Sequence, residues 1–117
     1  MTEMNSSSDI QRSVCQSFGA SFLQCDEFLK IGISKDFDPQ RFPINGLRHP
    51  PSGDTAGWYI WSGEYSDEPD FFVPLHTKHL NDRYPEIARY LGLGPGWRFL
   101  IAPGQEDVWF DANLLKI

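Results

Sequence analysis

The sequence predicts an α+β domain: a small, mainly antiparallel sheet with one or two helices packed on one face. Three observations carry this reading. Segments follow in the order strand, long loop, strand, helices, hairpin. The run Trp58-Tyr59-Ile60-Trp61-Ser62 sends large strand-forming side chains alternately to two faces. Near the end of the chain, Pro103-Gly104-Gln105 separates two apolar runs, which is a hairpin signature. The 117 residues suffice for one domain. A chain of that size buries roughly two-thirds of its unfolded surface without needing a metal or disulfide.

Each element has its own warrant. Residues 1–25 are expected to be an N-terminal extension, partly disordered, and residues 26–117 a single domain. Residues 1–8 are polar. Asp9 is placed to cap a short helix through Ile10, Val14 and Phe18, which Gly19 interrupts. Phe28-Leu29-Lys30-Ile31-Gly32-Ile33-Ser34 concentrates apolar residues as a strand does. The stretch from Lys35 to Ala56 holds Pro39, Pro43, Pro50 and Pro51 and reads as a long loop, with a short strand at Gly46-Leu47-Arg48. Trp58 and Ile60 share one face of the next strand, Tyr59 and Trp61 the other. Both faces are thus apolar, as in a central strand or one that meets a partner. Glu64 to Asp70 is an acidic loop. Pro74 to Leu91 reads as two helical pieces: Leu75, His79 and Leu80 share a face of the first, Pro85 opens the second, and Gly92 follows its end. Trp97-Arg98-Phe99-Leu100-Ile101 and Val108-Trp109-Phe110 form the hairpin, with a terminal turn over Asp111 to Leu115.

Composition excludes several function classes. Sixteen acidic against ten basic residues give a formal net charge of −6. That opposes nucleic-acid binding, which depends on Lys and Arg neutralising phosphates, and favours attraction to basic partners. No apolar run reaches membrane-spanning length. The polar start lacks the apolar core of a secretion signal, and Cys15 and Cys25 have neither CxxC nor zinc spacing. The expectation is a cytoplasmic protein with free thiols, no cofactor and no membrane partner, either a monomer or a homodimer paired through a strand edge.

His76 and His79, three apart with Asp82 beyond, could share a metal, but nothing else completes a ligand set, and ordinary helix histidines explain them. Cys25 sits beside Asp26 and Glu27, whose charges oppose a nucleophilic thiolate. Gly92-Leu93-Gly94-Pro95-Gly96 follows a helix, not a strand, and lacks the Lys-Ser or Lys-Thr of a phosphate loop. No catalytic residue is therefore assigned. Large rings beside clustered carboxylates suit partner binding instead. Tyr59, Trp61, Glu64, Tyr65, Asp67, Glu68 and Asp70, with Phe71 as a further anchor, form the expected contact surface. The rival is a small-ligand or enzymatic pocket between the 35–56 loop and the aromatic sheet, lined by Arg48, His49 and Trp58, with Arg41 also available to an anion.

The run Gly57-Trp58-Tyr59-Ile60-Trp61-Ser62-Gly63-Glu64 resembles the core motif of immunity protein family thirty-three of bacterial polymorphic toxin systems. Asp67-Glu68-Pro69-Asp70, Pro85-Glu86-Ile87-Ala88-Arg89-Tyr90-Leu91 and Gly96-Trp97-Arg98-Phe99 follow in the matching order, and Lys30-Ile31-Gly32 and Pro43 to Pro50 precede it. Ala56 stands where that motif has Ser. The resemblance covers roughly residues 28–115. It implies a small cytoplasmic α+β protein that binds and neutralises a cognate toxin, with no catalytic residues to carry over.

Overall fold

The computed structural model describes residues 7–116, so the disorder expected for the first residues falls, over residues 1–6, outside the described residues. Helix α1 (Ser7–Phe18) comes first. Strands β1 (Lys30–Ser34), β2 (Ile44–Arg48), β3 (Thr55–Ser62) and β4 (Phe72–His76) follow, then helices α2 (Thr77–Arg83) and α3 (Pro85–Ala88), and last the hairpin β5 (Trp97–Ala102) and β6 (Gln105–Phe110) with a 3-10 turn at Ala112–Leu115. The strands form one six-stranded sheet of order β4-β1-β3-β2-β5-β6. All neighbours run antiparallel except β1 and β3. The chain is α+β.

The alternation in β3 decides where the core lies. Trp58 and Ile60 are 1% and 0% exposed and join Ile44 and Phe99 from neighbouring strands. Against that face pack Val14 and Cys15 of α1, Leu80 of α2, and Ile87 and Ala88 of α3. Tyr90 stacks on Phe99 with centroids 4.6 Å apart. The Trp58 indole, which needs an acceptor once buried, donates to the Leu91 carbonyl at 3.0 Å. Among the described residues no helix is long and apolar enough to cross a membrane.

Three elements differ from the sequence reading. Within the extension expected over residues 1–25, α1 packs on the core: Gln11, Val14 and Cys15 recur at helical spacing and are buried, and Gln11 Nε2 donates to the Ala88 carbonyl at 3.0 Å. The segment at Pro74, expected to begin a helix, is the edge strand β4, paired residue for residue with β1 from Ser34↔Phe72 to Lys30↔His76. Proline is tolerated there because an edge strand has one side without a ladder to serve. The short strand expected at Gly46 starts earlier, at Ile44, and lies inside the sheet between β3 and β5.

Both cysteines are free and buried. Burial pushes each thiol above its ordinary range; nearby Arg48 opposes this for both, and Thr77 for Cys25. The negative charge of Asp26 raises Cys25 further, but less than burial does. The stabilisation from keeping these thiols neutral is complete below the unfolded thiol value, about 8.5. It is lost as pH rises through the higher folded values. Native protein at pH 8 is therefore expected to react with a thiol-specific disulfide reagent orders of magnitude more slowly than protein in denaturant. Immediate labelling of both thiols in the native state would contradict the burial.

Candidate partner-binding face

The face of the sheet opposite the helices is built from the other half of each strand's alternation. Pairing aligns one row across all six strands: Trp109, Arg98, Leu47, Tyr59, Gly32 and Pro74. A second row runs Asp107, Leu100, Asn45, Trp61. Helices α1, α2 and α3 contribute to the core on the other side. This face therefore carries aromatic area on which none of those three helices packs.

Its rings are mutually ordered. Tyr59 meets His49 edge-on at 5.7 Å and Phe72 at 5.1 Å. Trp61 meets Tyr65 at 5.4 Å and Phe72 at 6.1 Å. Tyr65 continues to Phe71 at 5.6 Å, and Phe71 to Phe72 at 4.9 Å. Such edge-to-face contacts exceed simple area burial by about 0.5–1.5 kcal/mol each and fix ring orientation. Gly32 contributes by lacking a side chain: a Cβ there would lie 2.7 Å from Tyr59 Cδ1. Leu47, His49, Tyr59, Trp61, Tyr65 and Phe72 together line an open hollow of about 430 Å³. Trp61 is 6% exposed yet stands outside the main core cluster; Tyr65 is 58% exposed. Further along the same face, the Arg98 guanidinium lies 5.3 Å from the Trp109 ring centroid and pairs with Asp111 at 3.4 Å.

The acidic loop borders this hollow. Asp70 is tied to Lys35 Nζ at 3.0 Å, which holds its carboxyl below the usual range. Glu64, Asp67 and Glu68 are exposed and make no ion pair among the described residues. The loop is shaped by its own backbone: the Glu68 N–H donates to Ser66 Oγ at 3.2 Å and the Phe71 N–H to the Glu68 carbonyl at 3.0 Å. Glu64 lies in the turn before Tyr65, and Asp67, Glu68 and Asp70 follow in the loop; of the expected contact residues, Tyr59, Trp61 and Tyr65 line the hollow. Leu47, His49 and Phe72 complete it. Phe72 escaped the sequence reading because β4 was not recognised; its period-2 relation to Pro74 was the available signal.

The rival trio is not brought together. Arg48 and Trp58 lie in the core, the guanidinium 5.8 Å from the indole centroid, while His49 lies on the opposite face against Tyr59. His49 Nδ1–H donates to the Leu114 carbonyl at 2.9 Å. Arg41 lies elsewhere, its Nη1 donating to the Asp36 carbonyl at 3.1 Å. The rings of His76 and His79 stand 5.9 Å apart, and Asp82 pairs with Lys78 at 3.3 Å. Among the described residues no group of three or more His, Cys, Asp or Glu is placed to hold a metal.

A family model described as Imm33-like domain matches residues 10–111, beginning inside α1 and ending just past β6. No curated protein and no solved structure matches the chain.

Proposed function

The chain belongs to the Imm33-like domain family, and from that we propose that it is a non-catalytic binding protein that neutralises a cognate toxin by occlusion in the cytoplasm of the producing cell. The observation that carries this reading is the uncovered aromatic face with its acidic border. Tyr and Trp are favoured interface anchors because they bury much area with few rotatable bonds. Tyr59 and Tyr65 take that role, with Trp61, only 6% exposed, holding the Tyr65 ring in place. Glu64, Asp67 and Glu68 raise the encounter rate with a basic partner, and the net charge of −6 acts in the same sense. Asp70 contributes less, because Lys35 already neutralises it. No reacting group is required, since a toxin whose working surface is covered is inactive.

Co-expression with the toxin encoded beside the gene tests this. Rescue of growth and co-purification are expected; a toxin that neither binds nor loses its toxicity would refute the proposal. Tyr65→Ala locates the interface. Loss of the Tyr65 ring contacts with Trp61 and Phe71 should lower the melting temperature by several degrees and leave the protein folded at assay temperature. Toxin affinity should fall by about 2 kcal/mol, roughly thirtyfold. An unchanged dissociation constant would move the interface away from this face.

A further inference from the structure

Strands β1 and β3 are parallel, so their last residues, Ser34 and Ser62, lie at the same end of the sheet. Beyond them opens a second cavity of about 480 Å³, lined by Ser34, Asp36, Arg41, Phe42, Glu64 and Phe71 with Ser62 and Gly63. It shares the Glu64–Tyr65 turn with the aromatic hollow. Ser34 is 3% exposed, and its Oγ has no hydrogen-bond partner among the described residues. Ser62 differs, since its Oγ accepts from the Asp38 N–H at 3.0 Å. A buried hydroxyl left without a partner is uncommon and calls for a physical reason.

The other groups on the wall indicate the chemistry. Asp36 and Glu64 present two carboxylates, neither in an ion pair among the described residues. Among the described residues Arg41 is the one cation in the lining; its Nη1 is spent on the Asp36 backbone carbonyl, and it forms an ion pair with neither carboxylate. The wall therefore keeps a net negative charge and three acceptor groups, two carboxylates and the Ser34 hydroxyl. Phe42 and Phe71 supply apolar sides. Acceptors in excess, with aromatic walls, fit a planar guanidinium better than an ammonium: a guanidinium donates in several directions at once and stacks on rings.

We propose that this cavity receives an arginine side chain of the partner protein, with the Asp36 and Glu64 carboxylates and the Ser34 hydroxyl accepting from its guanidinium. This rests on the binding reading above and adds the chemistry of one contact. The test titrates the isotopically labelled full chain with N-acetyl-arginine amide and, in parallel, with its neutral isostere N-acetyl-citrulline amide, followed by NMR. The arginine probe should shift the amides of Ser34, Asp36, Gly63 and Glu64, and the citrulline probe should not. The double variant D36N/E64Q, with its spectrum otherwise dispersed as in the parent, should bind about tenfold more weakly or worse. Arg41→Gln, which removes the resident cation, should bind the arginine probe more tightly.

Equal response to both probes, or indifference to D36N/E64Q, overturns the proposal. So does weaker binding in Arg41→Gln, which would mean that the probe rests on the Arg41 side chain and not on the carboxylates. A silent cavity in protein that still neutralises its toxin removes the arginine site alone. A responsive cavity in protein that neutralises nothing removes the toxin reading and leaves the site.

Discussion

Replacing Arg48 with methionine is expected to lower the free energy of unfolding by about 3 kcal/mol, a large share of the roughly 5–15 kcal/mol typical of a domain. Arg48 is 0% exposed and is met by carbonyls from four places in the chain. Its Nε donates to Ala56 at 2.9 Å, and its Nη1 lies 2.7 Å from Leu23, 2.9 Å from Leu93 and 3.2 Å from Leu91. One charged group thereby fastens the segment after α1 and the turn after α3 to the middle of the sheet. Burial lowers its pKa, the largest effect on the group, and among the described residues no carboxylate pairs with it to offset that burial. Exchanging a buried ion pair for apolar residues can be neutral, but only when both partners go. Here methionine removes the donor and leaves the acceptors. Leu91 keeps the Trp58 indole, whereas Leu23 and Leu93 lose the side chain that serves them. Each carbonyl stranded in this way costs about 1–3 kcal/mol. Urea unfolding of Arg48→Met measures the loss, and a value within 1 kcal/mol of the parent would mean that these bonds give no net stability. Arg48→Lys should recover part of it, since an ammonium donates but cannot span carbonyls set this far apart.

Arg48 also marks where sequence stops informing. An arginine in a strand, beside histidine and a proline pair, has the look of a ligand contact. What makes it structural is a ring of carbonyls from Leu23, Ala56, Leu91 and Leu93, and nothing local to Arg48 announces that they converge. The features that were legible are those carried by short-range periodicity. The two-residue alternation of β3 correctly separates Trp58 and Ile60 from Tyr59 and Trp61, and the Pro103-Gly104 turn correctly marks the hairpin. Features that depend on long-range pairing were lost. β4 contains Pro74, and Leu75, His79 and Leu80 mimic a helical face, so only its ladder with β1 reveals it. Similarly, α1 looks like a stray amphipathic turn until Gln11 is seen bonded to Ala88.

The binding face was legible in part for the same reason. Tyr59, Trp61 and Tyr65 sit close together in the sequence, and their strand-and-turn context places them side by side. Leu47, His49 and Phe72 reach the same hollow from β2, its exit and β4, which only the register Leu47↔Tyr59 and the ring contacts of Phe72 connect. The helix-covered face and the uncovered face are equally apolar in β3, so composition alone could not assign one to the core.

Gly57→Ala is expected to be as damaging as the loss of Arg48, and for a backbone reason. Gly57 has φ +93°, and a Cβ built there would lie 1.9 Å from the His49 carbonyl oxygen. The obstacle cannot rotate away, because it is main chain held in place by the His49 N–H donating to the Gly57 carbonyl at 2.9 Å. Left-handed backbone costs an L-residue about 1–2 kcal/mol. Overpacking against a fixed neighbour adds about 1–3 kcal/mol. A total of about 2–5 kcal/mol follows from those two terms, read as a fall in the urea midpoint. Gly53→Ala separates the two contributions: Gly53 also has positive φ, +58°, but nothing lies within 4 Å of its added Cβ. It should lose only the backbone term. Equal losses in the two variants would show that the His49 contact relaxes freely. A larger loss at Gly57 carries a second consequence, because relief of the clash must move His49, whose ring abuts Tyr59 in the hollow. Any Gly57→Ala protein that still folds should therefore bind its partner more weakly than Gly53→Ala does, which ties this strand's backbone to the shape of the face that it presents.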